Sequence, residues 1–364
     1  MDFGLSEEQQ QLKESARTLL TKECPTTFVR KVMASDDGYP RELYDEIAQL
    51  GWNGLIVPEK FGGAGLGMLD MMMLLEEGGY AAMPGPFLFS SVLAASALAL
   101  GGSDELNKKW LTAIAEGKAV GTVAFAESST SVDPLDIAAR ISTGGSVSGV
   151  KHLVPYANAA DFIVVAAKND SGAIELAVVE KNAKGVSIKS IKHLDLTRRV
   201  ATVELKDAPA TILGGADLYS KVIQIGALAI AADSLGGMER SLEMAVEYSK
   251  VREQFGKPIG SFQALKHAAA EIVSELEPAR ALLWYAAYAY DAGLPDAAKM
   301  IAMAKARLCD IYMRGSDRAV LMHGGIGFTW EHDMHLWFKR ARFNESYFGS
   351  PAYHREIVAE LGGY

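Results

Sequence analysis

The feature that most constrains the fold is a double change in the spacing of apolar residues along the chain. Up to about residue 117, apolar residues recur every three or four positions, as in an amphipathic helix. Between 118 and 212 the apolar runs are short, rich in β-branched residues and bounded by Gly, Asn, Asp or Pro, which is typical of strands. Beyond Asp217 the helical spacing returns in long stretches. This order predicts a mainly helical α+β protein with one inserted β domain.

We divide the chain on this basis into an N-terminal α-helical domain (1–117), a middle β-barrel or β-sandwich domain (118–212) and a C-terminal four-helix bundle (213–364). Ser6, with Gln9 three positions later, forms a capping-box pattern that predicts the start of the first helix. The other predicted helices cover 41–50, 68–80, 87–100, 105–115, 218–251, 261–292 and 295–321. The predicted strands cover 122–125, 137–142, 162–167, 174–179 and 202–205.

Composition excludes several classes of protein. Of the 364 residues, 49% are hydrophobic, enough to fill a sizeable core, and the formal net charge of −9 argues against binding a nucleic-acid backbone. The two cysteines are too few for a disulfide framework. The apolar stretch 92–100 is too short to cross a bilayer, and residues 1–8 lack a signal-peptide pattern. We therefore expect a cytoplasmic protein without a membrane span.

One candidate ligand site lies where two of the C-terminal helices are predicted to meet. Gly256 and Pro258 break the helical pattern, which leaves Arg252 near one helix end and Gln263 in the first turn of the next helix. A guanidinium suits paired phosphate oxygens, and helix N-terminal amides add donors. An arginine in such a turn is by itself more often a plain surface side chain. The segment reads Arg252-Glu-Gln-Phe-Gly-Lys-Pro-Ile259, followed by Phe262, Gln263 and His267.

A second candidate is the glycine-rich run about seventy residues later, His323-Gly-Gly-Ile-Gly-Phe-Thr-Trp-Glu331. Glycine permits a close backbone approach and unusual φ values. Alone, the run also fits a simple turn between helices. His332, Asp333 and His335 follow it, but no further ligand converges with them in the sequence, so we predict a polar helix end and no metal site.

Five segments, in order along the chain, resemble motifs of the FAD-dependent acyl-CoA dehydrogenase superfamily, in an atypical bacterial branch. They are 3–9, 50–58 with 61–65, 252–267, 323–331 and 337–350. Together they extend over nearly the whole chain, which implies the family's fold of two helical domains around a β domain. The absence of a strand–GxGxxG–helix unit argues against a Rossmann mode of dinucleotide binding.

The resemblance implies an FAD cofactor, held partly by an adjacent subunit, and an acyl-CoA thioester substrate. It also implies electron-transfer flavoprotein as the acceptor, and a homotetramer or an α2β2 heterotetramer with a homologous subunit. By resemblance, the cofactor-binding residues are Arg252, Phe255, Phe262, Gln263, His323, Gly324, Gly325, Ser350, Phe125 and Ser128. Leu321 departs from the family pattern, which often has Gln there, and Pro155 lacks the amide hydrogen that could contact the flavin.

The catalytic base expected from the resemblance is missing. The family's usual base is the Glu of a Tyr-Glu-Gly-Thr turn, and the matching residue here is Phe348. Some branches place the base on the preceding long helix, where this chain has Gly226. Neither residue accepts a proton, so the catalytic residue is unassigned. The remaining carboxylates that a shift in register would allow are Glu239, Glu243 and Glu345.

Three functions remain open. The first is an acyl-CoA dehydrogenase that introduces an α,β double bond with a displaced base. The second is a partner subunit that completes the FAD site of a catalytic homologue without turning over substrate itself. The third is a different flavin-dependent reaction on the same fold.

Overall fold

The computed structural model describes residues 4–127 and 130–363; Phe3 and Ser128 lie outside these ranges. The helices of the N-terminal part are α1 Glu7–Glu23, α2 Thr26–Ala34, α3 Arg41–Gln49, α4 Met68–Tyr80, α5 Ala95–Gly101 and α6 Asp104–Ala115. Those of the C-terminal part are α7 Ala216–Val251, α8 Gln263–Asp291, α9 Ala297–His323, α10 Met334–Ser346 and α11 Pro351–Gly362.

The local signals that start these helices act as the sequence predicts. Ser6 Oγ accepts the Gln9 amide at 3.2 Å, and Gln9 Oε1 accepts the Ser6 amide at 3.1 Å, so the predicted capping box closes. The predicted helix at 87–100 is instead a π-helical segment, Leu88–Ala94, that continues into α5. Every residue of that π segment is buried, because it packs as part of the core.

The β domain is one eight-stranded sheet in the order β6-β7-β3-β2-β4-β5-β8, with β1 paired in parallel to β4. Small and β-branched side chains fill its core, including Val154, Val165 and Val203. The strands are β1 Gly121–Ala124, β2 Arg140–Ile141, β3 Ser146–Pro155, β4 Phe162–Lys168, β5 Ile174–Glu180, β6 Val186–Ile191, β7 Val200–Pro209 and β8 Thr211–Gly214.

Three of these strands, β3, β6 and β8, were not predicted. Register shifts interrupt the pairing of β3 with β7, between Val147 and Gly149 and between Lys151 and Val154. Such irregularities break the alternation on which strand prediction depends. Strand β6 is half exposed and carries polar side chains on both faces. The fold class itself is confirmed, since the protein is mainly helical with a central sheet between helical parts.

By contact density the chain forms two compact units. One joins Met1–Val29, Met72–Met83 and Ile230–Tyr364, and the other joins Arg30–Met71 and Pro84–Ala229. These units combine segments that are distant in sequence. The domain boundaries near residues 118 and 213 therefore stay a prediction.

Ion pairs explain why α1 belongs with the C-terminal helices. Arg17 pairs with the buried carboxylate of Glu77 on α4 and lies 3.0 Å from Glu239 on α7. Arg280 on α8 pairs with the buried Glu76 and lies 2.7 Å from Glu239. Charges this deeply buried are tolerated only when they are paired, so this cluster holds four helices in one arrangement.

Among the described helices, α7 has the length and the apolar composition of a helix that could span a membrane. Within its most apolar window, 83% is buried inside the protein, as expected for a core helix of a folded domain.

Candidate functional site

The predicted junction after α7 contains a tight β-hairpin. Strand β9, Glu253–Gln254, pairs with β10, Lys257–Pro258, and the two residues of the turn are Phe255 and Gly256. Both have left-handed backbones, with φ of 55° and 76°. A two-residue hairpin of this kind requires such angles, and glycine adopts them freely, whereas phenylalanine is strained there. Phe255 is nevertheless 92% exposed. The protomer therefore exposes an apolar side chain to solvent on a strained backbone.

Arg252 lies at the base of this hairpin with an exposed side chain. Its backbone is fixed, since its N–H donates to the Tyr248 carbonyl at 2.9 Å and its carbonyl accepts the Ile259 N–H at 2.8 Å. Across residues 4–127 and 130–363, its guanidinium has no hydrogen-bond or ion-pair partner. The next helix, α8, begins at Gln263, and no side chain caps its N-terminus. An unpaired guanidinium and the uncapped amides of a helix that begins eleven residues later are both groups that suit an anion such as a diphosphate.

The glycine run ends α9 with an open backbone surface. Gly324 has φ 66° and ψ −147°, a conformation that essentially only glycine adopts. A Cβ added at Gly324 or Gly325 would meet nothing within 4 Å, whereas one at Gly327 would lie 2.8 Å from His323 Cβ. Packing within the protomer therefore requires the third glycine only. The first two leave backbone exposed for a close approach by another molecule, as the FAD prediction requires.

A histidine–tyrosine stack brings these two segments together. The His323 ring stacks on Tyr248 at 4.7 Å between centroids, one helical turn before Arg252, and the His332 ring lies 4.4 Å from His323. His323 Nδ1–H donates to the Ala319 carbonyl at 2.7 Å, and burial lowers the pKa of His323. His323 is therefore a buried support for the corner between the hairpin and the glycine run, which we call the exposed corner.

Large apolar side chains surround the exposed corner. Exposed patches of this kind mark interaction sites, because a stable monomer normally buries such side chains. The corner is therefore a candidate surface for binding another molecule. The side chains, with their exposed fractions, are Val251 76%, Phe255 92%, Leu321 77%, Phe328 72% and Trp330 59%.

Phe348, which the sequence resemblance predicts to stand at the position of the family's usual base, is only 2% exposed. Its ring meets Tyr347 edge to face at 5.0 Å, and Tyr347 stacks on Phe343 at 4.7 Å. Phe348 is therefore part of a buried aromatic stack. Ser350, predicted to bind cofactor, caps α11 by accepting the Tyr353 amide at 3.2 Å.

The alternative positions for a base are also blocked or engaged. Gly226 is buried within α7. Glu239 is held by two guanidiniums, as described above. Glu243 accepts a hydrogen bond from Tyr80 and lies 3.4 Å from Arg240, and Glu345 lies 3.5 Å from Arg342. Each of the three candidate carboxylates thus has a cationic partner, which restrains its position.

In the other compact unit, Phe125 follows β1 and is buried against the Tyr219 ring at 5.5 Å. Its carbonyl accepts from Lys151 Nζ at 3.3 Å. Lys151 is fully buried and pairs with Glu127 at 2.6 Å; Glu127 in turn accepts the Ala138 and Ala139 amides at 2.9 and 3.0 Å. Lys151 thus fixes the backbone carbonyl of Phe125, one of the predicted flavin-side residues, while it pairs with Glu127. Sequence reasoning missed Lys151 because it lies on the unpredicted strand β3.

Comparison with known proteins agrees with this geometry. Residues 6–118 match the acyl-CoA dehydrogenase N-terminal domain, and residues 214–362 match the acyl-CoA dehydrogenase C-terminal domain. The chain is 32% identical to acyl-CoA dehydrogenase IpdE2 of Mycobacterium tuberculosis over 98% of this chain and 96% of that protein.

Two solved structures show the same fold. The ChsE4–ChsE5 complex of Mycobacterium tuberculosis aligns with a TM-score of 0.91 at 29% identity over 100% of both chains. The Tcur3481–Tcur3483 steroid ACAD, a G363A variant, aligns with a TM-score of 0.91 at 29% identity over 98% of both chains. The chain belongs to the acyl-CoA dehydrogenase family.

Proposed function

We propose that this protein is an FAD-dependent acyl-CoA dehydrogenase that introduces an α,β double bond into an acyl-CoA thioester and passes the electrons to an electron-transfer flavoprotein. As a family member it is an oxidoreductase that acts on CH–CH groups. The observation that supports the proposal is the unpaired Arg252 guanidinium in the junction whose backbone bond to Ile259 leads into the uncapped N-terminus of α8. FAD, when bound, would supply the redox chemistry by accepting a hydride from the substrate.

The residues of this chain would hold and orient the cofactor. Arg252 and the first amides of α8 would bind the diphosphate, and Gln263 would add a side-chain amide. The exposed backbone at Gly324 and Gly325 would lie against the ADP half. Because the patch around Phe255 is open in one protomer, a second subunit would complete the site.

The test is a spectrum of purified protein reconstituted with FAD and titrated with acyl-CoA thioesters of different shapes. We expect a bound-flavin spectrum that bleaches when a suitable thioester is added, followed by reoxidation when electron-transfer flavoprotein is present. Protein that stays colourless with excess FAD would refute the proposal.

A second candidate is a partner subunit without turnover, and one observation favours it. The two positions that carry a base elsewhere in the family hold Phe348 and Gly226, both buried. The neighbour described as a complex of ChsE4 with ChsE5 makes a mixed assembly a reasonable model. Co-expression with a homologous subunit encoded by a neighbouring gene should then yield a stable α2β2 complex with dehydrogenase activity. A flavinated homotetramer that is reduced by acyl-CoA would exclude this candidate.

Substitution Phe348→Glu separates the two candidates further. In a partner subunit that binds FAD and substrate but lacks a base, a carboxylate at 348 should produce flavin bleaching where the wild type shows none. In an enzyme with a displaced base, the wild type already bleaches the flavin, and the substitution should add little. Phe348→Gln, which has the same size but is a poor base, is the matched control.

A further inference from the structure

The turn that contains Phe348 has an unusual backbone. Phe348 and Gly349 are both left-handed, with φ of 58° and 92°. For Phe348 this conformation is strained, and such strain persists only when surrounding groups enforce it. Gly349 is also required by packing, since a Cβ there would lie 2.6 Å from Tyr353 Cδ1 and 2.8 Å from His354 Nε2. The turn is therefore held in one conformation by its packing against Tyr353 and His354 of α11.

Two buried basic side chains bind its carbonyls. Lys305, fully buried on α9, donates from Nζ to the Gly349 carbonyl at 2.8 Å and to the Asn344 carbonyl at 2.9 Å. His354 Nε2–H, from α11, donates to the Phe348 carbonyl at 2.8 Å. Lys305 thus connects the last turn of α10 to the residue after Phe348, and His354 holds the carbonyl between them.

Asn344 is fixed from its other side as well. Its side-chain Nδ2 donates to Asp233 Oδ2 at 2.8 Å and lies 3.0 Å from Ser234 Oγ, both on α7. Arg340 Nη1 lies 3.4 Å from Asp233 Oδ1. The backbone on both sides of residues 345–348 is therefore attached to α7, α9 and α11.

A buried amine is a costly way to hold two carbonyls. Among residues 4–127 and 130–363, no carboxylate lies within ion-pair distance of Lys305. Burial lowers the pKa of Lys305, and Cys309, Glu345 and Asp310 offset part of that effect. Burial of an amine without a direct ion-pair partner opposes stability. The two carbonyls that Lys305 binds therefore explain why an amine lies at this buried position.

We propose that Lys305, together with His354, is a positioning residue: the two side chains lock the backbone of the 347–350 turn so that residue 348 stays in one fixed place relative to the bound thioester. This inference rests on the proposed function for its link to acyl-CoA. It concerns the backbone of the turn, so it applies whether residue 348 is Phe or Glu. The turn is then retained as a rigid wall of the substrate site although its carboxylate is gone.

The test uses Lys305→Met, His354→Leu and His354→Gln in the FAD-reconstituted protein, or in the complex if a partner is needed. Ser241→Ala is the control, since Ser241 is also buried and donates only to the Gly237 carbonyl on its own helix. Hydrogen–deuterium exchange of residues 344–352 reports on the turn, and acyl-CoA titration of the flavin spectrum reports on binding.

We expect Lys305→Met and His354→Leu to speed exchange in residues 344–352 and to weaken acyl-CoA binding about tenfold, with FAD affinity unchanged. His354→Gln keeps an N–H donor for the Phe348 carbonyl and should restore both values towards wild type. Ser241→Ala should change neither. If Lys305→Met does not fold, the two His354 variants decide the question.

Unchanged exchange in Lys305→Met and His354→Leu would overturn the proposal, and so would equal acyl-CoA binding by His354→Leu, His354→Gln and wild type. Failure of the wild type to bind FAD would refute the proposed function instead. In that case the exchange measurement still decides whether Lys305 and His354 lock the turn.

Discussion

The exposed corner and the 347–350 turn lie in the same compact unit, yet they are built in opposite ways. In the corner, Arg252 and Phe255 point into solvent with no partner for the guanidinium in the described protomer. In the turn, Phe348 is buried, and Lys305 and His354 bind the turn's carbonyls. The corner leaves a guanidinium unpaired within the described residues and a large apolar side chain exposed. The turn has its carbonyls bound within the chain.

This contrast explains which changes each region tolerates. A residue whose partners lie outside the protomer contributes little to the stability of that protomer, so only binding retains it. A residue inside a closed network contributes to stability whatever its chemical role. The side chain at 348 can therefore vary without loss of the turn, whereas a change of Arg252 should affect binding more than the stability of the protomer.

The largest effect should come from Arg340→Met, which breaks the closed network. Arg340 is fully buried, pairs with Asp233 at 3.4 Å and donates to the Met83 carbonyl at 2.9 Å. Removing the cationic partner of the buried Asp233 carboxylate should lower the free energy of unfolding by about 3–5 kcal/mol, measured by urea denaturation. The control Arg342→Met removes an exposed pair and should cost under about 1 kcal/mol. Equal losses of unfolding free energy in Arg340→Met and Arg342→Met would contradict the idea that the buried network stabilises this region.

The next effect is the pH dependence of stability from His354. Burial lowers the pKa of His354 to about 4 from its ordinary 6.5, and the Lys305 charge adds to this. The unfolded state binds the proton first, so stability is complete above pH 6.5 and falls as the pH drops towards 4. The loss attributable to this residue approaches about 3 kcal/mol.

His354→Gln does not titrate, so its stability should fall less than that of wild type between pH 6.5 and 4. Denaturation at several pH values gives the comparison. Parallel curves for the two proteins would show that His354 is not buried in its neutral form.

In the corner, Arg252→Ala should weaken FAD binding by about tenfold to a hundredfold, because a charged hydrogen bond contributes about 1.5–3 kcal/mol. Stability of the FAD-free protein should stay within about 0.5 kcal/mol of wild type. Titration of the apoprotein with FAD measures the first value and thermal unfolding the second. Lys250→Ala, a change at a neighbouring residue that pairs with Glu247 at 3.9 Å, should leave FAD affinity unchanged.

The smallest effect concerns Leu321, which is 77% exposed and which the sequence resemblance predicts to stand where the family often has Gln. Leu321→Gln should strengthen FAD binding by a few-fold, about 1 kcal/mol, because it adds one hydrogen bond to the cofactor. Leu321→Ala controls for the loss of apolar surface. A gain shared by both variants would mean that the leucine hinders binding and that no hydrogen bond is formed.

The break between α7 and α8 could be predicted because the residues that cause it are contiguous in sequence. Gly256 and Pro258 mark the break, and Arg252 and Gln263 lie on either side of it. The hairpin itself was unexpected, since a pair of two-residue strands is too short to produce an apolar pattern. The location of Phe348 was also predictable from its motif, but its support was not: Lys305 lies within the apolar face of α9, and only its presence among buried alanines hinted at a role.

The sequence by itself determined the α–β–α order, the ends of the long helices and the family, because periodicity, caps and contiguous motifs act over a few residues. Only the tertiary structure decided which helices share a compact unit, which carboxylates are paired, and which side chains hold the 347–350 turn. Those outcomes depend on contacts between residues far apart in the chain, such as Arg17 with Glu77 and Lys305 with Gly349. A buried charged or basic group needs a polar partner that folding brings next to it. A local sequence pattern does not predict which distant residue that partner is.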